Sequence, residues 1–166
     1  MSAETVLDVG CGTGELLRVA RQAGHVGDNE IRASLAAIRS ALTPDGRFAF
    51  ETRNPLARAW EAWTPDHAVE VVSAAGAVVR MAHEVDTPAD GERGESGETV
   101  SFTSTFTSPG WDRPQVSRST LRFLDADALA AFLSGAGLVV DEQFGDWDRQ
   151  SLTDKSPEII IIARRG

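Results

Sequence analysis

Residues 6–17 read VLDVGCGTGELL, and no other stretch limits the fold of this chain as tightly. Residues 5–10 form a short apolar run that carries an acid, Asp8, and read as a buried strand. Gly10, Gly12 and Gly14 then alternate in GCGTG. Glycine reaches positive φ at no steric cost and lets a ligand lie against the backbone. Leu16, Leu17, Val19, Ala20 and Ala23 follow at helical spacing, and Gly24 suits the C-terminal cap. A helix that begins directly behind a glycine loop offers unsatisfied N–H groups and a partial positive charge. The stretch therefore predicts strand, ligand-facing turn and helix.

The next thirty positions set the topology. Asp28 reads as the N-cap of a second helix. Ile31, Leu35, Ile38 and Leu42 fall at i, i+4, i+7 and i+11, one stripe facing a core. TPDG at 43–46 stops that helix with turn chemistry, and RFAFETRN at 47–54 is the next strand. Strand, helix, helix, strand predicts parallel pairing with a right-handed crossover. Pro44 lies only 30 positions beyond Gly14. AGHVGDN at 23–29, the one non-helical stretch between them, is too short and too polar for another strand.

After Pro55 the pattern changes. LARAWEAW at 56–63 reads as a short helix carrying Trp60 and Trp63. Residues 69–86 hold one or two strands, and the polar, glycine-rich 87–98 reads as an exposed loop. TVSFTSTFTS alternates, with Val100, Phe102 and Phe106 on one face. QVSRSTLRFL alternates less strictly, with Leu121 and Phe123 on one face, and PGWDRP joins the two as an antiparallel meander. Asp125 reads as the cap of a helix to about Leu133, ended by Gly135 or Gly137. LVVDEQF at 138–144 and EIIIIARR at 158–165 are the last strands. The second is apolar on both faces, which places it inside a covered sheet. The reading is one domain over 1–166, with 56–124 as an inserted cap region.

Composition narrows the function classes. A chain of 166 residues suits one core. A net charge of −9 argues against nucleic-acid binding, which needs clustered Lys and Arg. Cys11 is the single cysteine, so no internal disulfide forms. With three scattered histidines it gives no metal-ligand spacing, and no metal is expected. The longest apolar run, residues 159–163, is far too short for a membrane span. No cationic segment followed by an apolar run opens the sequence, so the expectation is a cytoplasmic protein.

A dinucleotide fingerprint would run G-x-G-x-x-G, but Glu15 stands at its third glycine. VLDVGCGTG instead resembles motif I of class I S-adenosylmethionine-dependent methyltransferases. ALTPDGRFAFETRNP resembles the later turn and strand of that family, usually written L-x-P-G-G. GDWD followed by SPEIIIIARR resembles the terminal hairpin of its small members. The resemblance implies an α/β fold, a reduced Rossmann-like methyltransferase sheet with an antiparallel β insert. It implies S-adenosylmethionine as cofactor and a small molecule as methyl acceptor.

Residue by residue, it implies that Gly10, Gly12 and Gly14 pass the methionine part of the cofactor. Asp8 would help place its ammonium end, and Cys11 and Thr13 would offer backbone contacts. Cys11 has no histidine near it in sequence and reads as loop filler rather than nucleophile. Arg53 and Asn54 would end a strand at the ligand edge, with Arg53 suited to an acidic acceptor. The insert would cap the acceptor with Trp60 and Trp63, and with Trp111 and Trp147 nearby; covering the core is an equal reading of these tryptophans. His67 and His83 are the candidate general bases, although each reads more simply as a surface or packing histidine. His25 would sit beside the shortened segment.

The family's middle has no counterpart here. Its second strand ends in an acid that binds the ribose hydroxyls, and two helices use up the residues where that strand would be. Glu15 lies on the wrong element, and Asp28 reads as a cap. Charge-assisted hydrogen bonds contribute roughly 1.5–3 kcal/mol each, so losing the ribose pair predicts weak cofactor affinity in a monomer. A shortened sheet also exposes a strand edge, which predicts homodimerisation or domain swapping. The rival reading is a catalytically silent binding or dimerisation module.

Overall fold

The computed structural model describes residues 27–72, 74, 76–87 and 97–166. The strand, glycine loop and first helix expected over 5–24 lie outside them, as does the parallel pairing expected of that strand.

Helix α1, Asp28–Ala41, carries the apolar stripe read from the sequence. Leu35 is buried, and Ile31, Ile38 and Leu42 pack beside it. A turn closed by the Gly46 N–H on the Thr43 carbonyl (3.0 Å) leads into β1, Arg47–Arg53. The insert then supplies β2 (Val69–Val72), β3 (Val78–Thr87), β4 (Glu98–Thr107) and β5 (Gln115–Phe123). Helix α2 spans Ala126–Gly135, and β6 (Leu138–Phe144) and β7 (Glu158–Arg165) follow. Asp125 caps α2 as expected, accepting from the Ala128 N–H at 2.8 Å. Gly137 follows the helix at φ +73°, where a Cβ would meet Arg39 Nε at 2.7 Å.

The strands form two sheets, β1-β7-β6 and β2-β3-β4-β5. Every ladder among the described residues is antiparallel. The second sheet is the meander expected from the alternating Thr- and Phe-rich runs. Strand β7 is central in the first sheet, and Ile159, Ile160 and Ile161 are each at most 1% exposed, which explains its double-sided apolar pattern. Phe48, Phe50, Ile159, Ile161 and Ala163 face α1 and α2 and close the main core with Leu129, Phe132, Leu133 and Leu138. Burying a side chain of this size contributes about 1.5–3 kcal/mol. A smaller core forms on the insert from Trp60, Val100 and Phe123, with Trp63, Val85 and Leu121 against it.

Two local expectations are corrected. LARAWEAW is not an α-helix: the chain makes short 3-10 turns at Pro55–Ala57, Ala59–Ala62 and Pro65–His67. Arg58 breaks the run in the left-handed region at φ 46°, and the break lets Trp60 turn into the core. Asp28 is not the cap of α1 but its first residue, behind Gly27. Its carboxylate is taken by Arg122 of β5 at 2.6 Å and Arg32 at 3.3 Å. Arg122 is largely buried and lies 6.0 Å from the Phe132 ring, so this pair ties the insert sheet to both helices.

Candidate functional site

The carboxyl end of β1 is built by a buried amide. Asn54 is 2% exposed. Its Nδ2 donates to the Thr153 and Ser156 carbonyls at 3.1 and 2.8 Å, and its Oδ1 accepts from the Leu56 N–H at 3.1 Å. Both amide protons are thus spent on the loop between β6 and β7, and Asn54 works here as a brace. Arg53 points the other way along the exposed face of β1 and meets Glu158 at 3.8 Å.

Glu158 belongs to a group of acids. In the β1–β7 register Arg53 opposes Glu158 and Glu51 opposes Ile160, so Glu51 and Glu158 are diagonal neighbours on one face. Partial burial of Glu158 and the charge of Glu51 push its carboxyl above the ordinary range, with Arg53 opposing and Asp146 adding to the shift. Glu51 accepts from Trp147 Nε1 at 2.5 Å.

The 3-10 turns place Trp60 and Trp63 over one face of the insert sheet. Trp60 packs on Phe123, ring centroids 4.5 Å apart, and Trp63 on Phe102 at 4.8 Å. The two tryptophans line an open cleft of about 480 Å³ whose other lining includes Arg58, Thr64, Glu84 and Glu98. Arg58 is paired with Glu61 at 2.9 Å. His83 lies at the edge of this wall, 6.0 Å from Trp63 and 5.6 Å edge-on to Phe102. Its Nδ1 is 2.9 Å from the hydroxyl of Ser104, its cross-strand partner, which is buried. The contact holds the ring against the Ser104 hydroxyl. His67 stands apart in an exposed turn, with Nδ1 3.0 Å from Thr64 Oγ1.

The structure therefore gathers Trp60, Trp63 and His83 and separates other candidates from them. Trp111 sits at the exposed β4–β5 turn, and Trp147 belongs to the loop after β6. Ser104 escaped the sequence reading, although even-numbered positions of β4 put it on the face of Phe102. Glu51 and Glu158 escaped because their proximity is a matter of register. Asp8, Gly10, Cys11, Gly12, Thr13, Gly14 and His25 lie outside the described residues. Asp28 is already engaged by two arginines, which leaves it poorly placed to serve ribose hydroxyls. Among the described residues no group of three His, Cys, Asp or Glu gathers as a metal site, and no helix is long and apolar enough to cross a membrane.

No protein-family model and no curated protein sequence matches the chain. Solved structures do. The CcbJ methyltransferase from Streptomyces caelestis superposes with a TM-score of 0.59 at 22% identity, over 85% of this chain and 55% of that one. An S-adenosylmethionine-dependent methyltransferase from Clostridium acetobutylicum gives 0.62 at 9% identity, over 85% and 53%. CalS10, an amino pentose methyltransferase from Micromonospora echinaspora solved with S-adenosylmethionine bound, gives 0.50 at 16% identity, over 84% and 52%. The chain has the fold of these methyltransferases, a mixed α/β architecture with antiparallel sheets. It spans about half the length of each.

Proposed function

We propose that the chain takes part in S-adenosylmethionine-dependent methyl transfer to a small-molecule acceptor. The observation that carries this reading is the GCGTG loop with Asp8 before it, standing in a chain whose described residues adopt a methyltransferase fold. Bound there, the cofactor would supply an electrophilic methyl group on sulfonium. Gly10, Gly12 and Gly14 would let it approach the backbone, Asp8 would face its ammonium end, and Cys11 and Thr13 would offer backbone contacts.

The acceptor would lie between the aromatic cleft and the end of β1. Trp60 and Trp63 would give it apolar walls, and Arg53 would exchange Glu158 for an acidic substituent. Methyl transfer is an in-line displacement, so orientation and desolvation matter more than strong acid–base help. His83, steadied by Ser104, is better supported than His67 to take the proton released by a hydroxyl or amine, because it borders the aromatic wall.

Calorimetric titration with S-adenosylmethionine and its demethylated product tests the reading. Weak binding is the expected result for a monomer; micromolar binding would mean that a partner chain or a rearranged loop supplies the lost ribose contacts, and absence of heat at millimolar ligand overturns the reading. One observation favours a second reading, a catalytically silent binding or dimerisation module: only 30 positions separate Gly14 from Pro44. Light scattering bears on the homodimer part of that reading, and a sharply monomeric profile counts against it.

A further inference from the structure

We propose that the loop between β6 and β7 is a pH-operated latch, held across the first sheet by the Trp147 indole on Glu51 and released when Glu51 and Glu158 both carry charge. This concerns the fold itself and stands whether or not a cofactor binds.

The loop has two halves with different anchors. Residues 153–157 are held by neutral bonds: Asn54 donates to Thr153 and Ser156, and its own N–H meets the Pro157 carbonyl at 3.1 Å. Residues 145–150 form a closed turn, with the Gly145 N–H on the Gln150 carbonyl at 2.9 Å and Arg149 at φ 68°. Arg149 ties this turn back to its own strand through Glu142 and the Phe144 ring. Its tie to β1 is Trp147 Nε1 on Glu51 Oε2. Phe144, Ile160 and Glu51 form one cross-strand row. The bond joins the loop behind β6 to Glu51 on β1, and in that row fully buried Ile160 of β7 stands between Phe144 and Glu51.

The tie depends on what Glu51 faces. Glu158 and Arg53 approach from β7 and β1, and Asp146 from the loop, so three acids meet one guanidinium. With Glu158 protonated, its hydroxyl donates to Glu51, and Glu51 stays in place to accept the indole N–H. Loss of that proton sets two carboxylates against each other beside a third. Glu51 lies on the exposed face and can swing into water, which drops the indole. Arg53, 55% exposed in its side chain and 3.8 Å from Glu158, is too screened to cancel the repulsion. The same desolvation and like charge that disfavour the Glu158 anion make release occur above the ordinary carboxylate range.

The test is acrylamide quenching of tryptophan fluorescence across a pH series on the full chain, with Trp147→Phe subtracted to isolate this indole. Quenching should rise in one step as pH climbs past the ordinary carboxylate range. Glu158→Gln keeps a donor toward Glu51 without the charge, so it should abolish the step and hold the indole protected at high pH. Glu51→Gln also removes the repulsion and should abolish the step, which keeps the test available if Glu158→Gln folds poorly. A native chain with no step, or a step that survives in a folded variant, overturns the proposal.

Discussion

Replacing Asn54 by alanine should cost about 3 kcal/mol of folding stability without touching the aromatic cleft. The side chain is 2% exposed and makes three hydrogen bonds, two donated to the Thr153 and Ser156 carbonyls and one accepted from the Leu56 N–H. A net contribution of about 1 kcal/mol per bond gives that figure, and backbone groups left buried and unpaired push it higher. Asn54→Asp sharpens the argument. Aspartate keeps the acceptor for Leu56 but turns a negative oxygen toward two carbonyl oxygens at positions that now receive N–H donors. It should therefore cost more than alanine, although it is closer in shape. Urea unfolding followed by far-UV circular dichroism reads both, as a midpoint shift at unchanged slope. An alanine cost below about 1 kcal/mol, or an aspartate variant as stable as the native chain, would refute the brace. The same series separates brace from ligand contact, because a residue reserved for substrate would lower affinity while leaving the midpoint in place.

Trp60→Ala should destabilise by about 3–5 kcal/mol, since the ring is 7% exposed and fills the small core against Phe123; thermal or urea denaturation checks it. Trp63→Ala should cost less in the same assay, because that ring is only partly buried. Arg122→Leu should flatten the acid limb of the stability profile. The hydrogen bond from Arg122 holds the Asp28 carboxyl below the ordinary range, so the native pair contributes stability above that range and loses it as pH falls through the lowered value. Parallel pH profiles of urea midpoints for the two proteins would contradict this.

The regular parts of the fold were legible because periodicity reports one-sided burial. The stripe from Ile31 to Leu42, the alternation through Val100 and Phe102 and the double-sided apolar run at 159–162 each found the core they implied. What the sequence hid was set by partners far along the chain. Asp28 has the chemistry of a cap, but Arg122 takes its carboxylate across 94 positions, and Gly27 is left to open the helix. LARAWEAW has helical spacing, yet Pro55, Pro65 and a left-handed Arg58 divide it into tight turns that aim Trp60 inward. Asn54 read as a residue at a ligand edge, and its bonds run to a loop about a hundred positions later. Within the candidate site, Trp60 and Trp63 could be named from composition and position. The Ser104–His83 contact needed the register of β3 against β4.

The place of β7 also sets an order of events. The insert is a chain of hairpins, β2 on β3, β3 on β4 and β4 on β5, each closed over a short stretch of backbone. In the first sheet β6 and β7 close as a hairpin, but β1 has no local route to β7. β1 and β6 flank β7 without pairing to each other, and Arg47 finds its partner only at Arg164. Closing so large a loop is slow compared with hairpin formation. On a ribosome the meander can therefore assemble while Phe48 and Phe50 still wait for Ala163 and Ile161 to emerge. During that interval Phe48 and Phe50 lack the β7 side chains that close the core over them, so β1 is open to misassociation until β7 is made.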